Sequence, residues 1–176
     1  MRVDLICHPD TPARAVERVR VRVAPNTMGL SQLEYRVFAS GELALPATTH
    51  PGRRDELWTT TCFELFAKID DGPGYLEYNF APSRDWAAYG FASRRNGRGN
   101  LAVAAPIISG WGDVTGYLLE VKLDLIALWA GNVRIGLSAI IEEADGTKSY
   151  WAIAHPPGEP DFHHPDCFAI ELPYLV

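Results

Sequence analysis

Residues 55–86 read DELWTTTCFELFAKIDDGPGYLEYNFAPSRDW, and their periodicity decides the fold. Over 61–69 the side chains alternate: Cys62, Glu64 and Phe66 share one face, and Phe63, Leu65 and Ala67 the other. This is the period-two pattern of a strand. Residues 70–74, DDGPG, supply turn chemistry for a reversal. Residues 75–81 alternate again, with Tyr75, Glu77, Asn79 and Ala81 opposite Leu76, Tyr78 and Phe80. A hairpin is predicted over the two runs. Because paired strands lie about 4.8 Å apart, that hairpin would gather Glu64, Glu77 and Asn79 on one surface.

The same period continues outward. In 16–23, Val19, Val21 and Val23 alternate with Arg18, Arg20 and Arg22, a half-exposed strand with an arginine face. Leu33, Tyr35 and Val37 alternate with Glu34, Arg36 and Phe38. Further strands are predicted at 84–91, 118–123, 133–141, 150–154 and 167–172. Residues 94–100, RRNGRGN, read as a turn and 142–148, EEADGTK, as a hairpin loop. One helical piece is predicted over 124–130, capped by Asp124 and stopped at Gly131. Many short strands separated by turn signals specify an all-β protein. The expected form is an antiparallel β-sandwich of jelly-roll type with one short helical turn, a single domain over 1–176.

Composition agrees with one core. The 176 residues are 47% apolar and 22% charged, enough hydrocarbon for a single domain. A net charge of −6 argues against nucleic acid or an anionic membrane as partner. No run approaches the roughly 20 apolar residues of a membrane span. The first twenty residues lack the apolar stretch of a secretory signal. Cys7, Cys62 and Cys167 are odd in number and have no C-x-x-C spacing, so reduced thiols and a cytoplasmic setting are expected.

The candidate site follows from which side chains the hairpin collects. Trp58, Tyr75 and Trp86 lie among Asp55, Glu64, Glu77 and Asn79. Flat rings cover sugar C–H faces while carboxylates and amides bind hydroxyls, so the mixture suits a small polyhydroxylated ligand such as a saccharide. A buried carboxylate is costly unless paired or wetted. The alternative is therefore structural: Glu64 and Glu77 paired with Arg84, Arg94 or Arg95, and the tryptophans in the core. A second dense region, 149–168, holds His155, His163, His164, Asp161, Asp166, Glu159 and Phe162. It would lend donors to the same ligand, from His163 above all. Its histidines lack metal-ligand spacing, so no metal and no cofactor are expected. No nucleophile elbow is present. Binding is favoured over catalysis, with two alternatives: a small hydrolase-like enzyme using Glu64, Glu77 and the His155 to His164 loop, and a protein-interaction domain.

These motifs resemble the DOMON-like proteins related to family-nine carbohydrate-binding modules, from about Leu30 to Leu172. The resemblance rests on Trp58 six residues before Glu64 in WTTTCFELF, and on Tyr75, Glu77, Tyr78, Asn79 and Pro82 followed by Asp85 and Trp86. It continues with Gly116, Tyr117, Glu120 and Val121 ahead of 124–129, and ends with Trp151, His164, Pro165 and Phe168. It implies a jelly-roll β-sandwich that holds a terminal saccharide between two aromatic rings, here Trp58 and Phe162. The phenyl of Phe162 stands where a tryptophan is usual. Glu64 matches the ligand-binding acid, Asn79 falls at a position usually long and polar or basic, and a further amide is replaced near Ile140. Related domains bind haem through Met or His. Met1 and Met28 both fall outside the cluster, which leaves haem a minor alternative.

Overall fold

The structure is a computed structural model that describes residues 1–24, 30–69, 71–125 and 133–172. Among these, twelve strands are joined in one antiparallel curled sheet. In chain order they are β1 (Arg2–Cys7), β2 (Val16–Ala24), β3 (Leu30–Ala39), β4 (Cys62–Lys68), β5 (Tyr75–Phe80), β6 (Trp86–Phe91), β7 (Gly99–Asn100), β8 (Ile107–Asp113), β9 (Gly116–Asp124), β10 (Val133–Glu142), β11 (Lys148–Ala152) and β12 (Ile170–Leu172). The spatial order is β7-β6-β5-β4-β10-β11-β1-β2-β3-β9-β8, and β12 adds to the start of β10. None of the described helical segments is long and apolar enough to cross a membrane.

Strand β1 explains how one sheet makes two wings. Its first half pairs with β2 through Val3 and Val21, and its second half pairs with β11 through Cys7 and Trp151. The sheet bends there, and the wings close over a shared core. One wing contributes Val19, Val21, Leu33, Tyr35, Val37, Leu119 and Val121; the other contributes Phe63, Leu65, Phe80, Leu137, Ala139 and Ile141. These are the inward halves of the alternating runs, and burying them is the main stabilising term. Tyr35 crosses the layer, its ring 5.1 Å from that of Phe63 and its hydroxyl donating to the Glu64 carbonyl at 2.7 Å.

The all-β antiparallel expectation holds in this coarser form, a curled sheet enclosing its core. The predicted hairpin is present as β4 and β5, with Glu64 opposite Asn79 and Phe66 opposite Glu77. Three strands escape the sequence reading, one of them β7, a two-residue edge strand inside the predicted RRNGRGN turn. β1 is short and alternates charges with Val3 and Leu5, and β8 is an edge strand whose Ile107 and Trp111 stay exposed. Partners, more than local pattern, make them strands. The run predicted at 167–172 is split: residues Pro165–Cys167 form a 3-10 turn, and only Ile170–Leu172 pairs as a strand. The helical piece expected over 124–130 lies beyond Leu125 in residues outside those described.

Candidate functional site

The outer face of the β4-containing wing carries a second cluster, built from Phe66, Tyr75, Tyr89, Phe91, Ile140, Phe162 and Phe168 with half-buried Trp58 and Tyr150 against it. A hollow of about 350 Å³ opens in this cluster. Its floor is set by register. Ser138 on β10 pairs with Glu64 on β4, which pairs with Asn79 on β5, while Glu77 pairs with Tyr89 on β6. Side chains of one parity must share that face.

Trp58, Glu64, Glu77, Phe162 and His163 all border the hollow. Trp58 comes from the 3-10 turn Leu57–Thr59 just ahead of β4. Phe162 and His163 come from the loop after β11. Gly136 lets that loop approach: a Cβ there would lie 2.7 Å from the Cys167 carbonyl oxygen. The loop is tied down by Asp161, which accepts from the guanidiniums of both Arg94 and Arg95 and from the backbone N–H of His163. Arg95 sits in the left-handed region at φ 55, and its own N–H donates to the Tyr75 hydroxyl at 3.1 Å.

The polar groups form two chains. Ser138 Oγ donates to Glu64 Oε2 at 2.9 Å, and Asn79 Nδ2 donates to Glu77 Oε1 at 2.6 Å. The Tyr75 hydroxyl and His163 Nδ1 are 2.7 Å apart. Since that oxygen already accepts from Arg95, its proton is best placed to serve Nδ1. This leaves the His163 Nε2–H facing Glu77, 3.8 Å from Oε2. Separation of this size is contact without a hydrogen bond.

Burial dominates the titration of this floor. Glu64 and Glu77 are 3% and 4% exposed. Removal from water, then the neighbouring charge of Glu77, pushes the Glu64 carboxyl up to about 8. Glu77 is raised by burial too, moderated by Asn79 and the arginines. His163 is pulled down to about 4 by desolvation and then by Arg95, so it is neutral at physiological pH. Among the described residues no guanidinium lies within ion-pair distance of either acid. Arg94 and Arg95, offered by the sequence as their partners, hold Asp161 instead.

Of the site residues named from the sequence, Trp86, Trp151 and Asn79 do not border the hollow, nor do Tyr75 and Asp55, which bond His163 and Tyr89. Trp86 lies opposite Phe80 and Trp151 opposite Ala139, which puts both on the interior face, in the shared core. Trp86 takes the Arg53 guanidinium against its ring at 4.3 Å, and Trp151 donates to Ser149 Oγ at 2.8 Å. Asn79 is on the correct face but fully buried, and supports Glu77 from behind. Of the other loop histidines, His155 bonds the Ile6 carbonyl and His164 caps the 3-10 turn at Asp166.

The hollow has further walls that sequence reading left out: Phe91, Arg95, Arg98, Ile140, Tyr150 and Pro160. Tyr150 pairs with Ile140 and so faces outward where Trp151 cannot. Parity alone could have found it. Arg95 and Arg98 come from the RRNGRGN tip, where no strand pattern fixes direction. Arg98 lies 5.0 Å from the centre of the Tyr89 ring and 5.8 Å from that of Trp58. Tyr89 in turn donates to Asp55 at 2.6 Å.

Fold and hollow together define a curled antiparallel β-domain with an aromatic and acidic cavity on one wing. No protein-family model and no curated protein matches the chain. Among solved structures it is similar to the crystal structure of a putative carbohydrate-binding protein from Bacteroides uniformis. The two are 14% identical with a TM-score of 0.64, over 94% of this chain and 82% of that one. At this identity the likeness is one of fold.

Proposed function

We propose that this protein is a non-catalytic binding domain for a small saccharide or similar polyhydroxylated molecule, held in the hollow between Trp58 and Phe162 with Glu64 beneath. The observation that carries the reading is the convergence itself: an indole and a phenyl about a hundred positions apart border one cavity with a buried acid at its base. Rings flanking hydrogen-bonding groups suit the two-sided chemistry of a sugar. The fold likeness to a protein titled as carbohydrate-binding supports it. We further propose kinship with DOMON-like domains and family-nine carbohydrate-binding modules, the jelly-roll form of the β-sandwich, and a cytoplasmic setting. The last rests on the three free cysteines. Contacts of this kind predict micromolar to millimolar affinity, roughly −8 to −4 kcal/mol. Ligand-observed NMR with a monosaccharide panel tests the reading: binding is expected, and unchanged affinity in Trp58→Ala would remove the hollow as its site.

A small hydrolase-like enzyme is the second reading, favoured by one observation. A carboxyl shifted up to about 8 faces a cavity beside a second acid, which is how a general acid is built. Against it, Ser138 and Asn79 hold the two carboxyls, and Glu77, the group that would act as nucleophile or base, is itself raised by burial. Turnover of an aryl glycoside that vanishes in a folded Glu64→Gln variant would decide for the enzyme.

A further inference from the structure

Among the described residues neither acid on the floor has a cation at ion-pair distance; Arg98 and Arg95 act on Glu77, and Arg95 on Glu64, only from farther away. Glu64 Oε1 has no hydrogen-bond partner among the described residues, and Glu77 Oε2 has only the His163 contact at 3.8 Å. The cationic side chains bordering the hollow are Arg95 and Arg98. Arg95 is committed to Asp161, and Arg98 lies against the rings of Tyr89 and Trp58. A neutral polyol would donate its hydroxyls to these carboxyl oxygens but would bring no charge to the two buried carboxyls. An ammonium group instead supplies donors and charge together, and such charge-assisted bonds are roughly twice as strong as neutral ones. Arg98 already lies against Trp58, which leaves Phe91, Tyr150 and Phe162 as the aromatic walls open to an amine, since aromatic faces attract cations.

We propose that the occupant carries a cationic amine that seats between Glu64 and Glu77: an amino sugar, or an amine of similar size. This rests on the ligand-binding reading above and narrows its ligand class. Binding is then linked to protons. The groups that face the two acids are Tyr35 from β3, Ser138 from β10, Cys62, Tyr75 and Asn79 from the hairpin, Tyr89 with Asp55, Arg95 and Arg98 from the β6–β7 turn, and His163 with Asp161 from the terminal loop. Glu64 holds its proton at neutral pH in the empty site. A cation beside it lowers the cost of ionisation, so the proton leaves as the amine enters.

Isothermal titration calorimetry with D-glucosamine, D-glucose and N-acetyl-D-glucosamine at pH 7, in two buffers of different ionisation enthalpy, tests this. Glucosamine should bind at least about tenfold more tightly than the two neutral sugars, with a heat that depends on buffer. In Glu64→Gln and Glu77→Gln the preference should collapse; should either fail to fold, the comparison on the unaltered protein stands alone. Glucose binding as tightly as glucosamine overturns the amine inference and leaves the saccharide reading intact. Ethanolamine, titrated in the same way, binding where no sugar binds keeps the amine inference and removes the saccharide reading. Binding of none of these probes removes both.

Discussion

Strand β4 presents two faces that water reaches equally little, yet they differ in kind. On one, Phe63, Leu65 and Ala67 meet the opposite wing of the sheet and touch hydrocarbon. On the other, Cys62, Glu64 and Phe66 lie under the terminal loop, with a carboxyl that finds Ser138 and little else. Both faces are buried, so burial does not separate core from site. What separates them is the nature of the group buried. The interior face contains groups that lose nothing on leaving water, and the outer face contains groups that lose much unless something else arrives.

The largest expected difference between the faces is in stability. Phe63→Ala should cost about 3–5 kcal/mol, as large-to-small changes in a packed core do. Urea denaturation would read this as a fall in midpoint; a loss under about 1 kcal/mol would mean the wings pack less closely than described.

Glu64 should act in the opposite direction. Folded, its carboxyl keeps a proton up to about pH 8, against an ordinary value of 4.5. The folded state therefore binds more protons than the unfolded chain between those values, and stability should fall as pH rises through that window. The total is a few kcal/mol. His163 works from the acid side. Its value is held near 4, below the ordinary 6.5, so its contribution is lost as pH falls from 6.5 toward 4. Together they place the thermal optimum on the acid side of neutrality. Glu64→Gln should flatten the alkaline limb of Tm against pH, and an unchanged slope would mean the acid is already ionised in the fold.

Two tryptophans sharpen the contrast. Trp151→Phe, on the interior face, should lower stability by about 1–2 kcal/mol and leave ligand affinity unchanged. Trp58→Ala, on the hollow, should weaken binding by about 1 kcal/mol, roughly fivefold in Kd, with a smaller effect on stability than Phe63→Ala. Reversal of the two outcomes, measured by calorimetry and denaturation on the same variants, would exchange the faces.

Period two made much of this legible. It placed Glu64, Glu77 and Asn79 on one side of a hairpin, and the register agrees. The same period, applied to 150–152 and 86–91, would have turned Trp151 and Trp86 inward and Tyr150 outward. Both indoles point into the core, so ring chemistry without direction does not identify a wall of the hollow. Arg95 and Arg98 were out of reach by any local rule. They sit in a tip where Arg95 and Gly97 take positive φ, and a left-handed turn breaks the alternation that tells which way a side chain points.

By itself, then, the order of residues determined the strands, their alternating faces and the acid pair, because these depend on a two-residue repeat and a five-residue turn. It did not determine that Phe162 would border the same hollow as Trp58, or that Asp161 would draw both arginines away from Glu64 and Glu77. Those outcomes depend on the path of a proline-rich loop with no repeat of its own. Its position is set by contact with Gly136, Tyr75 and Arg95, residues that only the folded sheet brings within reach.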